Sequence, residues 1–289
     1  MFAAMCVIWG IPYLLIRVAV RDLDPALLVF LRTTIAAAVL LPIAIARKEL
    51  RPVLARWRPL VVFAAIEIAI PWLLLGSAER RLSSSFSGLM IAVVPLVGAL
   101  IARERLGGWS VAGLVLGFGG VVALVGLDLS GTSALGLIEI SGVILGYALG
   151  PIVLSRHLRD MPAMGVIAAS LVVTMVVYAP VAAFDIPSKM PPAKVILSVI
   201  TLALVCTALA FIVFFALIAE VGPVRATVIT YVNPAVAAAL GVGLLNEKFT
   251  AGMGIGFAMI LGGSVLAARR PLERVDVASA GQRGLGAEA

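Results

Sequence analysis

Residues 91–126 read IAVVPLVGALIARERLGGWSVAGLVLGFGGVVALVG, and residues 230–266 read TYVNPAVAAALGVGLLNEKFTAGMGIGFAMILGGSVL. Each stretch is two apolar runs joined by a short charged connector. A proline lies in the first run (Pro95, Pro234), a glutamate in the connector (Glu104, Glu247), and three glycines follow at the same offsets: Gly113, Gly119 and Gly120, then Gly256, Gly262 and Gly263. The proline-to-glutamate distance is about one helical turn shorter in the first copy. An apolar run of about 20 residues crosses a ~30 Å hydrocarbon core. The pair of stretches therefore predicts a membrane chain whose second half repeats its first.

Outward from these stretches the same texture fills the chain. With 62% hydrophobic and 13% charged residues against roughly half apolar in soluble domains, lipid is its main solvent. Ten spans are predicted, near Phe2–Val20, Pro25–Ala46, Pro59–Ala78, Ser83–Ala102, Trp109–Leu127, Gly136–Ser155, Ala163–Phe184, Val195–Ala219, Arg225–Leu245 and Thr250–Ala268. Lipid offers the backbone no hydrogen-bond partner, and the period-two alternation of a barrel is missing, so the spans are helices. Met1 opens almost directly into the first span, which reads as retained rather than cleaved. The organisation is an all-α integral membrane fold: a first five-helix repeat over residues 1–127, a second over 136–268, and a polar tail, 269–289, expected to be disordered.

The formal charge of +7 sits in connectors and tail without a nucleic-acid patch. Alternate connectors carry Arg47, Lys48, Arg51, Arg56, Arg58, Arg103, Arg105, Arg156, Arg159 and Arg225, and the tail adds more; the opposite side has Arg17, Arg21, Arg80, Arg81, Lys189, Lys194 and Lys248. The positive-inside rule then puts both termini in the cytoplasm. Five spans per half is an odd number, so the two repeats cross the membrane in opposite senses, the inverted layout of many secondary transporters.

Trp9-Gly10-Ile11-Pro12-Tyr13 in the first span, Phe30-Leu31-Arg32 with Ala36 in the second, and Tyr231-Val232-Asn233-Pro234 leading to Asn246-Glu247 complete the pattern. On these residues the chain resembles the EamA family of the drug/metabolite transporter superfamily over nearly everything before the tail. The resemblance implies an inner-membrane carrier of two five-helix repeats that exports amino acids or other small metabolites through a central cavity opening to each side in turn.

A charge near the bilayer centre costs several kcal/mol and turns towards a cavity or a partner. Arg32 and Glu67 are such charges, at depths within mutual reach. One reading has Arg32 attract an anionic solute group while Glu67 takes a cationic group or a coupling proton. The other is an ion pair that fixes two helices. Trp9, Tyr13, Trp72, Tyr147 and Tyr231 lie within spans and can stack on organic solutes or cations. Trp9 and Tyr13, four apart, share a helix face, whereas Tyr178, near a span end, reads as an interfacial anchor. Pro12, Pro71, Pro95, Pro151 and Pro234 predict kinks, with Asn233 beside Pro234 the favoured polar position. Gly142, Gly146 and Gly150 form a flat face suited to helix packing, sliding or a homodimer contact.

Enzyme classes find no support. His157 falls in a connector, and Ser83 to Gly88 contains no nucleophile elbow and reads as a helix cap or cavity mouth. Phosphate-loop, dinucleotide and zinc motifs are absent. Cys6 and Cys206 are isolated within spans. The sequence predicts no catalytic or metal residue and no cofactor; the expected partners are a small-molecule solute, the lipid bilayer and, through Glu67, a proton. A membrane-embedded structural or regulatory subunit is the alternative, with an intramembrane enzyme or channel behind it.

Overall fold

In the computed structural model the described residues are 1–101, 108–126, 133–185, 187–221 and 229–267. Ten apolar helices follow one another within them. Seven are long and apolar enough to cross a membrane: α1 (Phe2–Ala19), α2 (Pro25–Ala46), α3 (Trp57–Ala78), α4 (Ser84–Ile101), α6 (Ala134–Leu158), α7 (Ala163–Phe184) and α8 (Ala193–Val221). The other three, α5 (Gly108–Gly126), α9 (Ile229–Leu245) and α10 (Ala251–Ala267), contain shorter apolar stretches and adjoin residues outside the described set. Glu104, Arg225 and the 269–289 tail lie outside it, as does the side chain of Tyr231.

Local chemistry sets the helix starts. Asp24 accepts the Ala26 N–H at 2.8 Å with Pro25 in the first turn of α2, and Ser83 accepts the Phe86 N–H at 3.1 Å at the head of α4; both satisfy donors that a helix leaves orphaned. Drawn with the first residues of α1 at the lower end, contacts between connectors sort into two ends. At the upper end Arg80 donates to the Leu23 carbonyl and pairs with Asp24, and Arg81 pairs with Glu139 near the start of α6. At the lower end Arg56 donates to the His157 carbonyl, and the Gly165 N–H donates to Glu49. Thus α1 begins below and α6 begins above.

The extensive helix pairings are α5 with α10, α2 with α7, α4 with α9, α3 with α6, α1 with α8, α4 with α6, α1 with α9, α2 with α8 and α3 with α7. Every one joins the first five helices to the second five. Exchanging α1–α5 with α6–α10 in order leaves the set unchanged, which is the signature of two repeats about a two-fold axis. The duplicated glycines make one of these crossings: an added Cβ on Gly263 would lie 2.5 Å from the Gly113 carbonyl oxygen, and one on Gly120 2.7 Å from that of Gly256. The backbones of α5 and α10 touch where side chains are missing. Outward faces stay apolar, with Val115, Val122 and Ile138 about 70% exposed towards the lipid.

Prolines and breaks coincide in part. Helix α1 is interrupted at Trp9-Gly10, just ahead of Pro12, and α4 at Ala92-Val93, just ahead of Pro95. A wide π-helical turn, Ala64–Ala69, lies directly before Pro71 in α3, and a second, Leu154–Leu158, follows Pro151 in α6. A third, Leu204–Leu209 in α8, has no proline beside it, and Pro234 sits inside an unbroken α9.

Candidate functional site

The wide turns of α3 and α8, helices that the two-fold exchange interconverts, face the bundle interior with Glu67 and Thr207. A π turn inserts one residue and leaves carbonyls without their usual donor. Thr207 meets this by donating its hydroxyl to the Leu202 carbonyl at 2.8 Å, and the same oxygen accepts Arg32 Nε at 2.9 Å. In α3, Tyr178 from α7 donates its hydroxyl to the Ala69 carbonyl at 2.9 Å.

Arg32 thus spans from α2 to α8. Its guanidinium lies over the Trp72 ring, 3.6 Å from the centroid, a desolvated cation–π contact of ~2 kcal/mol. Tyr13, Tyr147 and Cys206 are its electrostatic neighbours. Among the described residues the hydrogen bond Arg32 makes is that from Nε, which leaves the terminal nitrogens, Nη1 and Nη2, for another acceptor. Tyr13 and Arg32 are each 7% exposed and Thr207 0%, so these three lie buried in the interior. Glu67 does not pair with Arg32; Tyr147 lies within electrostatic reach of both. The Glu67 carboxylate rests against Gly150 of α6, where any Cβ would collide with it, and among the described residues its buried Oε2 has no hydrogen-bond partner.

The broken α1 is held by α9. With the Asn233 amide oriented to satisfy both ends, its nitrogen donates to the carbonyls of Cys6 and Ile229, each at 3.0 Å. An added Cβ on Gly10 would meet Val236, so only glycine fits there. The break separates Trp9 from Tyr13. Trp9 packs on Phe211 and Phe214 of α8, with centroids at 6.0 and 4.6 Å, whereas Tyr13 turns towards Gly88 and Arg32.

At the upper end, Asn246 takes the left-handed conformation, φ 54°, which asparagine tolerates. The turn brings the Glu247 carboxylate onto the first residues of α4. It accepts the Ser84 N–H and hydroxyl at 2.8 and 3.0 Å and the Ser85 N–H and hydroxyl at 2.8 and 2.6 Å. A helix N-terminus suits an anion. Burial alone raises the pKa of Glu247, but the four bonds outweigh it and hold the carboxyl below its usual range. The clasp is therefore present above the ordinary carboxylate range and is lost as pH falls through the lowered value. Glu247→Ala is expected to reduce Tm by ~5 °C and to flatten the acid limb of a stability–pH curve; an unchanged Tm in thermal melts would show that the clasp contributes nothing.

The EamA-like transporter family profile matches residues 1–126 and matches again over 134–269. The chain belongs to the EamA-like transporter family. It is thereby a membrane transporter of the drug/metabolite superfamily, and its two halves are the family repeat in duplicate. Eleven solved chains resemble it; one, described only as "Crystal structure of protein", has a TM-score of 0.66 at 24% identity over 92% of this chain and 94% of its own, a likeness of fold. No curated protein sequence matches this chain.

In this EamA-like transporter Arg32, Trp72, Tyr147 and Tyr13 come together in the interior, with Glu67 beside Tyr147. Trp9 stands apart in an aromatic cluster, correcting the shared face expected with Tyr13. Tyr178 is buried and braces α3, which corrects its reading as an interfacial anchor. Asn233 supports the α1 break, and Pro234 follows it within α9. Gly142, Gly146 and Gly150 seat α3 through Leu74, Pro71 and Glu67. Two participants escaped the sequence reading. Thr207 has no local signal beyond its register with Glu67 across the repeat. Glu79 follows the last residue of α3 and looks like part of a solvated connector, yet it is 0% exposed.

Proposed function

We propose that this protein is a secondary carrier that moves a small amphiphilic metabolite bearing a carboxylate, such as an amino-acid-like solute, outward by rocking of its two repeats. The observation behind this reading is the buried Arg32, contributed by α2, stacked on Trp72 of α3 and fixed through Nε by Thr207 of α8, a bond that leaves its two terminal nitrogens for a solute. A carboxylate supplies the bidentate acceptor that such a fork lacks. Trp72, Tyr13 and Tyr147 flank the position with aromatic faces, and Glu67 Oε2 is the acceptor for the solute's cationic group. The arrangement draws on both repeats, so a change in their relative tilt opens it to one end at a time. The chain sits in the inner membrane as ten spans with both termini in the cytoplasm, as the excess of basic residues at the lower end supports.

Counterflow of radiolabelled solute in proteoliposomes tests the carrier reading, since only a carrier gives transient uphill exchange. Glu67→Gln is expected to weaken a zwitterionic solute ~10-fold or more, the value of a lost charged hydrogen bond, while sparing a simple carboxylic acid. Equal exchange of both solutes by the two proteins at every pH would remove Glu67 from the solute path.

A further inference from the structure

Glu79 is 0% exposed, and among the described residues neither oxygen of its carboxylate has a hydrogen-bond partner. The charged and titratable groups that face it among the described residues are Arg17 and Tyr13 of α1, Tyr147 of α6 and Glu247 of the α9–α10 connector. Arg17 is near but engaged elsewhere: its Nη1 donates to the backbone carbonyl of Glu79 itself. An enclosed acid, Glu79, and a part-buried one, Glu247, therefore face each other in opposite surroundings. Glu247 receives four donors and carries the negative charge. A second charge on Glu79, buried and unbonded, is disfavoured by lost hydration that nothing replaces. Carboxyl pairs pushed apart in this way identify which member holds a proton. Burial pushes Glu79 well above the usual carboxylate range; Arg17 opposes this and Glu247 adds to it.

We infer that Glu79 is a proton-binding site coupling the upper closure to the solute cluster: it keeps its proton while Ser84 and Ser85 grip Glu247, and releases it to water when the upper end opens. On opening, water reaches the carboxyl, its O–H proton leaves to the medium, and the resulting carboxylate pairs with Arg17, which already lies against the same residue. Tyr13, facing both Glu79 and Arg32, is the side chain through which the two sites sense each other. The direction follows from linkage: through the neutral range, where Glu247 stays charged, protonation of Glu79 favours the closed upper end and its deprotonation the open one, whereas below the lowered Glu247 range the clasp itself is lost. This deepens the carrier reading by naming the coupling ion and its place.

The test needs no solute, so its failure is distinguishable from failure of counterflow. The full chain, reconstituted in lipid vesicles, is titrated through neutral pH while the infrared C=O stretch of protonated carboxylic acids is followed. A band present at neutral pH is expected, diminished in Glu79→Gln by a component that Glu67→Gln retains, and that component titrates at lower pH in the doubly substituted Ser84→Ala, Ser85→Ala protein, whose closure is weakened. No such band in the wild type, or an undiminished band in Glu79→Gln, overturns the inference. Should Glu79→Gln not accumulate as folded protein, Glu79→Asp keeps the acid but changes its surroundings, and a band that neither moves nor changes its titration overturns it equally.

Discussion

Arg32→Met is expected to yield a folded protein that no longer exchanges a carboxylate-bearing solute. Methionine fills much of the same space along Trp72, and exchanging a buried charge for an apolar side chain of similar volume is often neutral or stabilising. Binding has no such compensation. A charged hydrogen bond contributes ~1.5–3 kcal/mol, so losing it weakens binding by roughly 10–100-fold. Arg32→Lys separates charge from shape, because an ammonium cannot stack flat on Trp72 while holding Thr207 and a carboxylate; its exchange should fall between the two. Counterflow and thermal melting on the same preparations decide the matter. Full exchange by Arg32→Met would reduce Arg32 to a tether between α2, α3 and α8.

The second large effect is expected far from the solute cluster. Adding one methyl group in Gly263→Ala places a carbon 2.5 Å from both the Gly113 carbonyl oxygen and the Gly117 nitrogen, and 2.6 Å from the Gly117 Cα. These are backbone atoms that cannot rotate away. Overpacking costs ~1–3 kcal/mol where neighbours yield, and here α5 and α10 must separate along their length. A fall in Tm of ~10 °C, or failure to accumulate in the membrane, is the predicted outcome in fluorescence-detected chromatography. The neighbouring Ser264→Ala provides the contrast, because the Ser264 hydroxyl is buried without a partner among the described residues and its removal should be neutral or favourable. Equal stability of the two variants would show that the glycines do not set the crossing.

The fold was legible because lipid imposes its rules on composition: long apolar runs, charge asymmetry and a glycine register that repeats after each glutamate. Arg32 was legible for the same reason, since a charge in an apolar span must have a use. Three features were not. The α8 wide turn carries no proline or glycine, because an inserted residue in a helix changes no side-chain chemistry. The α1 break lay hidden inside a spacing that implies one helix face, which misplaced Trp9. Glu79 follows three apolar turns and precedes two arginines, so linear context assigns it to solvent; only packing against Tyr13 and Arg17 reveals its burial.

The pairing of each half's helices with those of the other has a consequence for biosynthesis. Most of each quintet's packing lies against the other: α5 lacks α10, α2 lacks α7, and α1 lacks both α8 and α9 until the second half is made, leaving the first half only the lesser contacts of α2 with α3 and α1 with α4. While the ribosome is still at work, the early spans sit in the bilayer as loosely associated rods, with Arg32 exposed to acyl chains and drawn towards the headgroups. Maturation is thus a late, all-at-once docking, and a chain truncated after its midpoint is a substrate for quality control rather than half a transporter.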